Sequence, residues 1–362
     1  MTASRPEFGR APGKVILSGE HAAVYGVPAL SMAVDKYTDV WFTPMHRAKG
    51  LRTAFENLSQ GQLYPLDLLK SFKQTLDRRF EQFSRGELTV QKILQRPDDL
   101  AIYTLMLLMN YLPVPGVSQN RRLPVPGQLN SRSALPLGAG MGSSAAVIAA
   151  TFVLYEHLFN HSQSQLERFE RVRFCERLQH GKGSAVDAAS VVYGGFNRVE
   201  GGDLTRLTLD DSHGLCQGAS WYWVLHGSPE SSTGECVAAV RERFGNDQKL
   251  WQEFEACSNA MQQALEAGGD PIAVIRENHR LLVKIGVVPE PAQAFVAAVE
   301  KAVGAAKISG AGTIKGDNAG IVMVYLPDQD AAASVQAQFP ERAWESLRVA
   351  PKGEHLRQDD AG

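Results

Sequence analysis

The stretch PLGAGMGSSAAVIAA, Pro136 to Ala150, decides how the rest of the chain is read. Glycines stand at Gly138, Gly140 and Gly142, serines follow at Ser143 and Ser144, and small apolar residues then run on to Tyr155 without a breaker. Glycine in series is costly unless the backbone must bend unusually or come close to something. The unbroken apolar run predicts a helix, so the glycines form a loop that feeds a helix N-terminus. The first N–H groups of a helix have no partner within it and carry the positive end of its dipole. Gly138, Ala139, Gly140, Met141, Gly142, Ser143 and Ser144 are therefore a candidate anion cradle, with phosphate its commonest occupant. Taken alone, the loop reads equally well as a tight turn with no ligand.

Working outward, 362 residues suffice for a well-buried core and two domains. The hydrophobic fraction of 44% and charged fraction of 21% are those of an ordinary soluble globular protein. A formal net charge of -2 argues against nucleic acid as a partner, because such binders carry a basic excess or stripe. Arg121-Arg122 and the Glu-interleaved run Arg168–Arg177 read as solvated helix faces. The opening MTASRPEFGR has no apolar core of a secretory signal. The longest apolar stretches, Ala101–Leu112 and Ala145–Tyr155, are too short to span a bilayer, so no membrane partner is expected. Cys175, Cys216, Cys236 and Cys257 lie far apart with no zinc-type spacing. They read as buried small hydrophobes in a reducing, cytoplasmic setting.

Lys14–Leu17, Ala29–Ala33 and Thr38–Phe42 read as strands, and Leu66–Phe83 as a helix. Pro113–Pro126 is Pro-rich and irregular. A strand near Gln128–Ser133 precedes the glycine loop, and Leu166–Gln179 is a helix ended by Gly181. Trp221–Leu225 reads as a strand opening a second block. Gly234–Ala267 and Pro271–Ile285 are helical, and strands Ala306–Ser309 and Gly320–Leu326 flank a second glycine loop. This order predicts an α+β protein in two blocks, 1–210 and 211–362, rather than a regular βαβ series.

Common phosphate-binding templates fail. There is no GxxxxGK[ST], the loop is GxGxG rather than GxGxxG, and protein-kinase signatures are absent. Three separated stretches instead resemble the GHMP small-molecule kinase family: APGKVILSGEHAAVYG (Ala11–Gly26), PLGAGMGSSAA (Pro136–Ala146) and SGAG (Ser309–Gly312). Within it, GEHAAVYG and HGKGSAVDAA (His180–Ala189) resemble the mevalonate kinase pattern, whereas a galactokinase would have Asp-Tyr where Ala22-Ala23 stand. The resemblance implies a two-lobed fold with the active site in the cleft between the lobes. It also implies ATP as co-substrate, Mg²⁺, and phosphorylation of the primary alcohol of mevalonate.

Phosphoryl transfer to an alcohol needs the phosphates cradled, a metal held, the hydroxyl deprotonated and the transferring charge stabilised. The resemblance assigns Mg²⁺ to Ser144 and Glu176, the latter eleven residues before Asp187. A hydroxyl and one carboxylate suit an ion that keeps several waters. It assigns the base to Asp187, with Lys14 as the neighbouring cation that keeps it charged. Ser184 and Asp187 both precede an Ala-rich segment, so a helix N-cap is the competing reading for one of them. Glu20, His21, Thr233, Gly310 and Gly312 resemble the acceptor-side residues. His180, Asn278 and His279 are open between packing and site roles.

One stretch departs from the pattern. SGAGTIKGDNAGIVMV, Ser309 to Val324, has Thr313, Ile314 and Lys315 where mevalonate kinases continue in glycine. Lys315 reads either as a cation for a phosphate or anionic substrate group, or as a solvated loop charge; Asp317 lies in the same loop. A phosphomevalonate kinase, a mevalonate 3-kinase, a sugar kinase and a non-catalytic sensor of the same fold stay as alternatives. A homodimer is compatible with the resemblance, although the sequence carries no interface signature.

Overall fold

The structure is a computed structural model that describes residues 7–45, 49–56, 58, 61–111 and 126–358; most of the Pro-rich stretch 113–126 lies outside them. The strands and helices, in chain order, are β1 (Glu7–Ser18), β2 (Ala29–Pro44), β3 (Gly50–Phe55), β4 (Leu63–Pro65), α1 (Leu69–Ser84), α2 (Asp99–Tyr111), β5 (Gly127–Ser133), α3 (Ser143–Leu158), α4 (Gln165–His180), α5 (Ala185–Tyr193), β6 (Phe196–Glu200) and β7 (Asp203–Leu207). There follow a single-turn α6 (Gly214–Gln217), β8 (Trp221–Gly227), α7 (Thr233–Phe244), α8 (Gln248–Glu266), α9 (Ile272–Lys284), α10 (Glu290–Lys301), β9 (Ala305–Ser309), β10 (Gly320–Tyr325), α11 (Gln329–Gln338), β11 (Ala343–Ser346) and β12 (His355–Gln358).

The expected α+β class holds. An eight-stranded sheet runs β12-β1-β2-β5-β3-β4, with β6 joined to β2 and β7 to β6. Two strands expected from the sequence, Ala29–Ala33 and Thr38–Phe42, are one long β2. Its register against β1 jumps from Val34 to Tyr37, so Asp35 and Lys36 bulge out instead of turning the chain. The first part of β2 pairs with β6 and the rest with β5. A second, antiparallel sheet runs β11-β8-β10-β9. The chain does not stay in its second block: β12 returns to pair with β1, and Val349 bridges Val34.

The helix after the glycine loop, α3, is buried along most of its length and lies on β1 and β2. Its alanines permit a close approach. At Gly9 of β1 an added Cβ would sit 2.0 Å from the Ala150 carbonyl oxygen, so no side chain fits there. Alternate residues of β10 serve two cores: Ile321 and Met323 join the one that includes α3, Val322 and Val324 the one that includes α8 and α10. The expected helix over Gly234–Ala267 is split at Gly245–Asp247, where Asp247 caps α8 through Leu250 N–H. Among the described residues no helix is long and apolar enough to cross a membrane.

Candidate active site

The glycine loop lies across the C-terminal half of β1, held by a hydrogen bond from Lys14 N–H to the Met141 carbonyl (2.9 Å). Gly138 and Gly140 are exposed, Ala139 and Met141 buried. Gly142 is the N-cap of α3, with φ of 72° and no side chain to satisfy the first N–H groups of the helix. A Cβ on Gly142 would stand 2.9 Å from Lys14 Cγ and 3.8 Å from Asp187 Oδ1. Glycine is required there both for the left-handed backbone and for the lysine beside it.

Lys14 is buried, and its Nζ lies 2.9 Å from Asp187 Oδ1. Which acid or hydroxyl caps α5 is resolved by geometry: Ser184 Oγ accepts Asp187 N–H (3.2 Å) as the N-cap, so the Asp187 carboxylate is free of capping. Ser144 Oγ donates to Glu176 Oε1 (2.9 Å), with His180 Nε2 3.5 Å from the same hydroxyl. Glu176 is fully buried and its Oε2 has no hydrogen-bond partner among the described residues. Burial first, then the Asp187 charge, pushes its carboxyl up to about 8, against the Ser144 hydrogen bond and Lys14. Burial lowers the His180 pKa.

Glu20 and His21 follow β1 in a tight turn. His21 has φ of 59° and ψ of -37°, and Ala22 N–H bonds the Glu20 carbonyl across it (2.6 Å). This is a γ-turn of the rare, strained hand, costing about 1–3 kcal/mol at a non-glycine residue. Both side chains reach the β9 segment of the second sheet or the loop that follows it. His21 Nε2 meets the Ala311 carbonyl at 2.9 Å, and Glu20 forms a fully buried ion pair with Lys307 of β9. Burial raises the Glu20 pKa and lowers that of Lys307, and the attraction between them opposes both shifts.

The glycine loop before α3 faces the loop of the third motif, Ser309–Gly312 (the third glycine loop): a Cβ on Gly140 would lie 3.4 Å from the Ser309 carbonyl, and one on Gly310 3.8 Å from Gly140 Cα. Gly312 lies against the Val287 carbonyl. Thr313 is buried, its Oγ1 3.1 Å from Ser231 Oγ, and Ile314 N–H donates to the same Ser231 (3.2 Å). Thr233 is exposed in the first turn of α7, where Ser232 and Glu235 form the capping box. Lys315 is exposed, with Nζ 3.7 Å from Glu235 Oε1, which matches the solvated-charge reading better than a buried phosphate contact. Asp317 is also exposed. Asn278 is buried, its amide without a hydrogen-bond partner among the described residues, and His279 is partly buried on the same helix. Lys307, Ser309 and Ser231 escaped the sequence reading. For Lys307 a signal existed: a lysine inside the otherwise apolar strand Ala305–Ile308.

A profile of the GHMP kinases N terminal domain matches residues 105–195, which hold the glycine loop, Glu176 and Asp187. The mevalonate kinase of Homo sapiens is 30% identical over 312 residues, covering 79% of this chain and 72% of that protein. The mevalonate kinase of Thermococcus onnurineus is 27% identical over 329 residues, covering 83% and 85%. The crystal structure of the Methanococcus jannaschii mevalonate kinase superposes with a TM-score of 0.74 at 17% identity, covering 99% of this chain and all of that one. The identity and coverage shared with the human protein, on a fold common to a solved member, settle the family: this chain belongs to the mevalonate kinases of the GHMP kinase family.

Proposed function

We propose that this chain transfers the γ-phosphoryl group of ATP to the primary alcohol of mevalonate, forming 5-phosphomevalonate and ADP, a step that supplies isoprenoid precursors. The observation that carries the reading is the Lys14–Asp187 pair, 2.9 Å apart and packed beside Gly142 at the uncapped start of α3. It puts a base and a cation next to an anion-binding helix end, which is what in-line phosphoryl transfer requires.

In this mechanism the backbone N–H groups of Gly138–Ser144 hold the phosphates. Asp187 takes the hydroxyl proton as the acceptor oxygen bonds the γ-phosphorus and the bond to the β,γ-bridging oxygen breaks. A carboxylate is a weak base for an alcohol, so position matters more than basicity. Lys14, 2.9 Å from the Asp187 carboxylate, orients it and stabilises the developing alkoxide. Glu20, His21, Thr233 and the Gly310 and Gly312 backbone form the acceptor side. The residues present suit Mg²⁺: a hydroxyl 2.9 Å from a carboxylate whose second oxygen is buried and unpartnered. Ser144 and Glu176 would hold the ion, which when bound offsets negative charge on the phosphates.

The same reading treats 1–210 as the phosphate-loop lobe and 211–362 as the lobe bearing the third glycine motif. It places the enzyme in the cytoplasm, and it is compatible with a homodimer. The test is ADP release with Mg-ATP and mevalonate, 5-phosphomevalonate, homoserine, galactose or water. Mevalonate-dependent turnover is expected, and turnover with another acceptor alone would refute the substrate assignment. Asp187→Asn should lose about 10²–10⁴-fold in kcat with ATP binding retained. Near-normal activity in that variant would sink the base assignment.

A further inference from the structure

Two side chains and a backbone carbonyl, at alternate positions of one segment running from β9 into the loop after it, meet β1 and the acceptor turn. Ser309 Oγ accepts Ile16 N–H (2.8 Å), Lys307 Nζ donates to the Ile16 carbonyl (3.3 Å), and the Ala311 carbonyl meets His21 Nε2 (2.9 Å). Lys307 also makes the ion pair with Glu20, and both side chains are shut off from solvent. These contacts bracket the strained γ-turn at His21 from both sides. A backbone held in a sparsely populated conformation persists only where its surroundings over-determine it. Glu20 Oε1 is committed to Lys307, while Oε2 is buried with no hydrogen-bond partner among the described residues. Such an atom is expensive to leave unmade unless something fills the position.

We propose that Lys307 is a positioning residue for phosphoryl transfer: it fixes the Glu20 carboxylate and the Glu20–His21 turn against the third glycine loop, so that Glu20 Oε2 is presented to the acceptor. Lys307 does not touch the nucleotide in this scheme, and its effect is confined to the acceptor side. The inference rests on the reading of Glu20 and His21 as acceptor residues. The surroundings agree with a dedicated role. Cys257, His279 and Lys14 also act on Lys307 electrostatically, and among the described residues the one cation that contacts the Glu20 carboxylate is Lys307. Lys307→Met therefore leaves a buried carboxylate that must take up a proton.

The experiment compares wild type, Lys307→Met, Glu20→Gln and the double variant Glu20→Gln/Lys307→Met. It uses whichever alcohol of the panel the wild type phosphorylates, so a wrong substrate assignment shows in the wild type and a wrong role for Lys307 in the variants. Lys307→Met should raise the acceptor KM about 30-fold or more, as loss of a charged hydrogen bond implies, with the ATP KM within about threefold. Its infrared spectrum should gain a protonated-carboxyl band that the double variant lacks. The double variant removes the unpaired charge and should recover thermal stability while its acceptor KM stays raised. A double variant with recovered stability and wild-type acceptor KM would overturn the proposal, as would equal rises in both KM values. An unchanged acceptor KM in Glu20→Gln alone would refute the placement of Glu20 on the acceptor side.

Discussion

Replacing Gly142 with alanine tests the geometry of the site more sharply than removing a charged group. Two costs can be worked out in advance. The first is backbone: φ is 72°, and an L-residue in that region loses about 1–2 kcal/mol relative to glycine. The second is local. The new Cβ would stand 2.9 Å from Lys14 Cγ, whereas carbon atoms pack at about 3.5–4.0 Å, so the lysine must retreat by roughly 0.6 Å or more. Lys14 is 5% exposed in its side chain and cannot swing into solvent; the retreat is taken up at the 2.9 Å contact with Asp187. A misplacement approaching 1 Å can cost about 10²-fold in rate, and kcat should fall by about that factor. Gly138→Ala is the control. Its φ is also 72°, but its Cβ would meet nothing within 4 Å. The two variants should lose similar stability in urea melts, about 1–2 kcal/mol of a typical 5–15. Gly138→Ala should act on the ATP KM, because its methyl points where phosphate is proposed to lie, and Gly142→Ala on kcat. Coupled ADP-release kinetics at saturating substrates separate them. Equal kcat values for the two variants, within about threefold, would refute the reasoning.

Ser144→Ala removes one of the two proposed metal ligands and should raise the Mg²⁺ concentration for half-maximal rate about tenfold, read from a magnesium titration at fixed ATP. Lys315→Ala should leave kcat and both KM values within about threefold, since solvent screens an exposed pair at 3.7 Å; a large loss would return Lys315 to the site. His226 and His279 each have a pKa lowered to about 4, chiefly by burial. A folded pKa below the unfolded value near 6.5 means stability that is complete above pH 6.5 and lost as pH falls toward 4. The unfolding free energy from urea melts should drop across that window, by up to about 1.4 kcal/mol per pH unit for each histidine, and His226→Gln should flatten the slope.

Much of the site could be read from sequence because it is built from short, contiguous motifs. A glycine loop before an apolar run produces a helix start with free N–H groups wherever it occurs, since the cause is local backbone chemistry. Lys14, Glu20, His21, Ser144, Glu176 and Asp187 are named by the resemblance of short motifs to a family pattern, not by local chemistry alone. Local rules also found the helices Leu66–Phe83, Leu166–Gln179 and Pro271–Ile285, whose apolar spacing matches their buried faces. Where two local rules competed, sequence could not choose. Ser184 and Asp187 are both good caps, and only the arrival of Lys14, from a strand more than a hundred residues earlier, leaves Ser184 to cap and Asp187 to face the lysine. The single long β2 is a similar case: Asp35-Lys36 looks like a turn until β1 pairs on both sides of it. Lys307 and Ser309 act over 287 and 293 residues and Ser231 over 83, and no local pattern names the carboxylate, amide or loop they serve. The chain by itself determined which chemical groups are present and which backbone ends are left open, because propensity and hydrogen bonding act over a few residues. The tertiary structure alone decided which charge meets which, because pairing a buried ion depends on what packing carries to it.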